Sequence, residues 1–139
     1  MTALALIAVF TTALLFGGMA FFAALVAPFT FRLLPAEAAG RFVRGIFPPY
    51  YLWVIGMAAG AAVALFPLSK PDAGLMAAIA ALGIWLRQVL MPRINGLSDA
   101  SKAGDAEAGH AFGRMHRLSV AANLLQLIAA GVVLAGFVL

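Results

Sequence analysis

The chain has 139 residues, 65% of them hydrophobic and only 10% charged, with a mean hydropathy of +1.06. So little polar surface cannot clothe a soluble domain of this size, which makes the chain an integral membrane protein without room for a separate soluble catalytic domain. Cysteine is absent and the net charge is +4; the first excludes disulfides, thiolate metal sites and thiol catalysis, and the second suits orientation in a membrane and contact with anionic lipid rather than nucleic acid.

The first apolar run covers about Leu4–Phe31. It lacks the basic start of a signal peptide and is too long for one, so it reads as a retained span. Thr11 and Thr12 can bond back to the helix backbone, and Gly17, Gly18, Ala20 and Ala24 offer small positions for a neighbouring helix. Pro28 should kink or end this helix near the membrane boundary. Glu37 to Phe47 reads as a short helical linker with Arg41 and Arg44 on one side and Phe42, Ile46 and Phe47 on the other, lying in the interface. Pro48-Pro49 restarts the chain.

A second span covers about 50–68, with Gly56, Gly60 and Ala64 as its packing row. A tight turn at Pro67–Asp72 leads to a third span at about 73–91, closed by Pro92. Arg87 lies more than a turn before that proline, deep enough to need a partner: Asn123, Gln126, Tyr50, a backbone carbonyl or a ligand. Arg93 to about Gly104 reads as an exposed loop. Asp105 and Glu107 suit the start of the last helix, whose span covers about 116–138.

That last helix holds the polar residues from which a site can be argued. At about 100° per residue, His116, Ser119, Asn123 and Gln126 fall within one narrow arc, with Phe112 beside them. Such a stripe is costly against lipid and should face other helices or a polar cavity. Arg87, Arg93, Arg114 and Arg117 could bind an anionic headgroup or a carboxylate, although snorkelling and topology account for most cations at such positions. Tyr50, Tyr51, Trp53 and Trp85 read most simply as an aromatic belt. His116 could ligate haem or a metal, yet no second histidine shares its face, since His110 lies about 120° away around the helix.

The fold class expected is all-α: a polytopic, four-transmembrane-helix bundle in a single domain, built from two helical hairpins. The halves echo each other, because Glu37, Phe42 and Arg44 recur in spacing as Glu107, Phe112 and Arg114, and Pro28 and Pro92 each close the preceding span. Eight of the nine cations fall at one end and only Lys70 at the other. The positive-inside rule then puts both termini outside and the two long connections in the cytoplasm, in a bacterial inner membrane.

A first span ending in Val26-Ala27-Pro28, then Phe47-Pro48-Pro49-Tyr50-Tyr51, then Met91-Pro92, then Arg114-x-His116-Arg117-x-Ser119-x3-Asn123 together resemble the transmembrane protein 205-like family. The resemblance covers nearly the whole chain and implies a small four-span membrane protein of unsettled biochemistry. A weaker similarity to copper-resistance D-like and HemJ-like membrane proteins implies haem, but the histidine those carry in their first span has no counterpart here. The expected function is therefore a polar cavity, lined by Tyr50, Arg87, Arg114, His116, Asn123 and Gln126, that binds or passes a small anionic or amphiphilic ligand. The alternatives are a haem-binding redox protein using His116, or a structural subunit whose small-residue rows and polar stripe pair with another chain.

Overall fold

The structure, a computed structural model, describes residues 2–139. Four long helices follow one another: α1 Ala3–Leu33, α2 Ala36–Leu65, α3 Lys70–Lys102 and α4 Ala106–Gly136, each apolar enough to cross a membrane. At 30 to 33 residues apiece they run roughly 45–50 Å, well beyond a hydrocarbon core of about 30 Å. Each helix therefore extends past the bilayer, and eight of the nine cations gather at the end where all four helices meet the two shorter connections.

These lengths exceed what local signals suggest. Glu37–Phe47 is not a separate linker but the first third of α2, and Pro48 and Pro49 lie inside that helix. The two prolines remove two backbone donors, a cost that surrounding packing can absorb in a membrane helix. Arg93–Gly104 is likewise helix rather than exposed loop as far as Lys102. Pro28 and Pro92 do not end their helices. Each follows a single π-turn, Phe22–Val26 in α1 and Leu86–Leu90 in α3, where the N–H of Ala27 reaches the carbonyl of Phe22 and that of Met91 reaches Leu86. Widening the helix just before a proline accommodates the ring and the missing donor without breaking the rod.

The connections are short and capped. Thr2 caps α1 through its hydroxyl, which accepts from the Ala5 N–H at 3.2 Å. Between α3 and α4, Gly104 has φ +104°; its N–H bonds to Ser101 O and that of Asp105 to Ala100 O, both at 3.1 Å, a Schellman closure. Asp105 then caps α4, its carboxylate accepting from the Ala108 N–H at 3.0 Å. One glycine and one aspartate thus reverse the chain between two helices.

The helices pack as a square in chain order, α1 beside α2, α2 beside α3, α3 beside α4 and α4 beside α1. A core of small and flexible residues fills the end away from the cations, among them Ala8, Leu15, Ala58, Ala61, Met76 and Ala130. Toward the basic end the core becomes Tyr51, Leu86, Leu90 and Ile94. The small-residue seam of α2 is Ala58, Ala61 and Ala64, all buried; Gly56 of the expected row faces open space. Elsewhere close approaches include Gly18 against Trp53, Gly83 against Ile55, Gly109 against Ser101 and Gly131 against Phe16. Large apolar side chains cover the outside, Phe10, Val63, Leu125 and Val132 being each more than half exposed. That surface is a lipid-facing one, and the protein is a multi-pass membrane protein.

Replacing Gly104 by Ala forces a Cβ into the left-handed region at about 1 kcal/mol. Thermal unfolding followed by circular dichroism in detergent should show the melting temperature lowered by roughly 2–4 °C.

Candidate functional site

The stripe on α4 meets its neighbours unevenly, as its spread around the helix dictates. Ser119 and Gln126 are buried, Asn123 is half-buried and His116 is exposed. The Ser119 hydroxyl donates to the His116 carbonyl at 2.8 Å, satisfying itself within its own helix. Asn123 is the centre of a larger arrangement. Its Nδ2 donates to the Tyr51 hydroxyl at 2.8 Å and to the Ser119 carbonyl at 2.9 Å, while its Oδ1 accepts from the Tyr50 hydroxyl at 3.2 Å. The two tyrosines belong to α2, diagonally across the square, so only long side chains can join these helices.

Tyr50 and Tyr51 are held in place by aromatic packing. Phe22, the first residue of the π-turn in α1, stacks on Tyr50 with ring centroids 4.4 Å apart. Phe47 stacks on Tyr51 at 5.7 Å and meets Tyr50 edge-on at 5.9 Å. Tyr51 is therefore an interior residue and Tyr50 a half-buried one turned inward to Asn123, whereas Trp53 and Trp85 are both about 40% exposed and suit a belt.

One turn deeper, Gln126 is 1% exposed. Its Nε2 donates to the Ile79 carbonyl of α3 at 2.9 Å. Gly83 lies beside it: a Cβ there would be in ordinary contact with Gln126 Nε2 at 3.7 Å, and its tight approach, 3.0 Å, is to Ile55 of α2. Among the described residues the Oε1 of Gln126 has no hydrogen-bond partner, and neither has the buried hydroxyl of Thr12. A buried acceptor left bare in an apolar interior costs on the order of 1–3 kcal/mol, so such an atom points to something that donates to it.

The remaining expected residues lie apart from this group. Arg87 is half-buried and its Nε donates to the Pro48 carbonyl at 3.3 Å, so a backbone oxygen of α2 is the partner its depth required. Arg114 is exposed, and being two residues from His116 it points about 160° away from it. One cavity cannot hold both. His116 stacks on Phe112, centroids 5.9 Å apart, at the surface. These residues do not fit a haem: the imidazole is exposed, and the interior beside it is filled by Tyr51, Leu86 and Leu90. Among the described residues no group of three potential metal ligands forms.

At the basic end, Arg44 forks onto Asp99, with Nη2 to Oδ1 at 2.8 Å and Nη1 to Oδ2 at 3.3 Å, and also reaches the Asn95 carbonyl at 3.2 Å. This bond joins the extensions of α2 and α3. Reading Arg93–Gly104 as loop concealed it, because a loop places Asp99 nowhere in particular. The periodicity Ile94, Leu97, Ser101 was the available signal.

Asn123 and Tyr51 should couple energetically. In a double-mutant cycle of Tyr51→Phe and Asn123→Leu, followed by unfolding in detergent micelles, a coupling of about 0.6–2 kcal/mol is expected; zero coupling would show that the hydrogen bond contributes nothing.

No curated protein and no solved structure matches the chain. A model of a domain of unknown function, DUF4149, matches residues 10–103, about two thirds of the sequence, ending before α4. The chain thus belongs to the DUF4149 family, a family of uncharacterised proteins, here in a four-helix membrane form.

Proposed function

We propose that the protein binds a small amphiphilic ligand at the cluster of Tyr50, Tyr51, Asn123 and Gln126, entering sideways from the bilayer. The observation that carries this reading is the bare Oε1 of Gln126, buried one turn from an asparagine whose own amide is satisfied. The Tyr51 oxygen accepts a hydrogen bond and keeps its own proton to donate. A donor and a bare acceptor in one apolar surround suit a hydroxyl group, which is both. No cation joins the cluster, since Arg87 is engaged at Pro48 and Arg114 and His116 are exposed; an uncharged polar head is therefore favoured over an anion.

Entry is supported by the way α1 packs. Beyond its π-turn, the Ala27–Leu33 segment lies along α2, leaving the flank of α4 that carries Asn123 less covered than the rest. Asn123 and Tyr50 are only half-buried on this flank. Oriented by the positive-inside rule, the cluster lies in the half of a bacterial inner membrane nearer the cytoplasm. The role is one of binding or conduction rather than catalysis.

A photoreactive monoacylglycerol, carrying hydroxyls and one chain, is the probe of choice. It should label purified wild-type protein, and the Asn123→Leu, Gln126→Leu double variant should label about tenfold less while keeping its helical circular dichroism. A photoreactive fatty acid should label weakly. Equal labelling of wild type and double variant overturns the reading.

A further inference from the structure

On the other flank of α4, where it meets the extension of α3, the surface holds a groove of about 340 Å³ lined by Arg93, Gly96, Leu97 and Met115. Arg93, Gly96 and Leu97 are spaced i, i+3, i+4, so they form one continuous face of α3. The space beside Gly96 is open, since a Cβ there would meet nothing within 4 Å. Leu97 and Met115 supply apolar walls, and Arg93 is exposed at the groove without a carboxylate or carbonyl partner among the described hydrogen bonds and ion pairs. Arg114 follows in the same neighbourhood, one residue before Met115 on the side of α4 turned away from Asn123.

The groove's depth in the membrane comes from its neighbours. Arg93 directly follows Pro92, where the apolar part of α3 gives way to Asn95, Ser98 and Asp99, and Met115 directly precedes the last basic residues before the apolar part of α4. The guanidinium of Arg117 folds back to within 3.9 Å of a Cβ placed on Gly113, one turn toward the polar end. That is the posture of a cation reaching for the membrane–water boundary. A hollow with an unengaged fork-shaped cation and apolar walls, at that boundary, matches a phosphodiester with acyl chains beneath it.

We infer that the groove at Arg93, Gly96, Leu97 and Met115 binds the headgroup of an anionic phospholipid, Arg93 holding the phosphate, Met115 at the level of Arg93 packing against the glycerol, and Leu97 walling the groove one turn toward the polar end. This site is separate from the Asn123 cluster and does not rest on it. The apolar walls favour a lipid over a free phosphate, because a soluble anion gains nothing from Leu97 and Met115 and is well hydrated elsewhere.

Native mass spectrometry of the detergent-purified protein, titrated with phosphatidylglycerol or with phosphatidylcholine, tests the inference. Wild type should retain one phosphatidylglycerol in preference to phosphatidylcholine. Arg93→Gln should weaken that binding about fivefold, the loss of one cation at a membrane surface. Gly96→Leu, which keeps every charge but fills the hollow, should weaken it similarly, and Arg117→Gln should leave it unchanged. Arg93→Lys, retaining charge, controls for folding and should recover part of the binding. Equal retention of the two lipids, unchanged retention in Arg93→Gln or Gly96→Leu, or a loss in Arg117→Gln as large as in Arg93→Gln each overturns the inference. Displacement of the lipid by millimolar glycerol 3-phosphate would assign the site to a soluble phosphate and overturn it as well.

Discussion

The tie from Asn123 to Tyr50 and Tyr51 is the constraint around which the basic half of the bundle is arranged. Four helices in a square make contact along their sides; the diagonals are joined only if long side chains bridge the centre. In lipid there is no hydrophobic force to drive helices together, so packing and interhelical hydrogen bonds decide which arrangement wins. At one end alanines close the square by fitting backbones near one another. At the other end the tyrosines are too large for that, and their hydroxyls must be satisfied in an apolar surround. Asn123 does so with one donor and one acceptor, and the aromatic rings of Phe22 and Phe47 hold the tyrosines at the angle required.

Phe22 also begins the π-turn of α1, which links this tie to the shape of the helices. Both hairpins use the same device, a π-turn followed closely by a proline, in the same helix of each pair. They differ in what comes after it. The first continues for 7 residues to Leu33 and the second for 12 to Lys102. Those extra residues carry Asp99, which engages Arg44 of the first hairpin. The corresponding arginine of the second hairpin, Arg114, is exposed and makes no such ion pair among the described residues. A difference of more than one helical turn thus turns a repeated sequence into an asymmetric molecule: one connected flank, and one flank where polar groups of α4 are only half covered.

This asymmetry bears on function, since a fully symmetric bundle would bury both flanks alike. The bare acceptor of Gln126 and the unengaged guanidinium of Arg93 occur at different levels of the bundle, Gln126 lying about three turns along α4 from the Met115 that lines the groove. The two proposals assign them different chemistry, a hydroxyl-bearing amphiphile in one case and a phosphodiester in the other. Both proposed ligand types belong to a bilayer, which suits a bundle whose four helices are each apolar enough to cross one.

Composition and periodicity alone determined that the chain crosses a membrane four times, that its cations collect at one end, and that Asn123 and Gln126 turn inward, because each follows from burial cost and the 3.6-residue period. Helix continuity through Pro48, Pro49 and Pro92 was not legible: a proline's local cost is visible in the sequence, whereas the π-turn and the packing that offset it are not. The same limit applies to partners. Arg87 plainly needed one, but only the register of α2 against α3 made it the Pro48 carbonyl. Tyr50 and Tyr51 looked like boundary aromatics because residue type says nothing of which way a ring faces. Tertiary structure decided these points, since each rests on the distance between two helices, a quantity no single helix encodes.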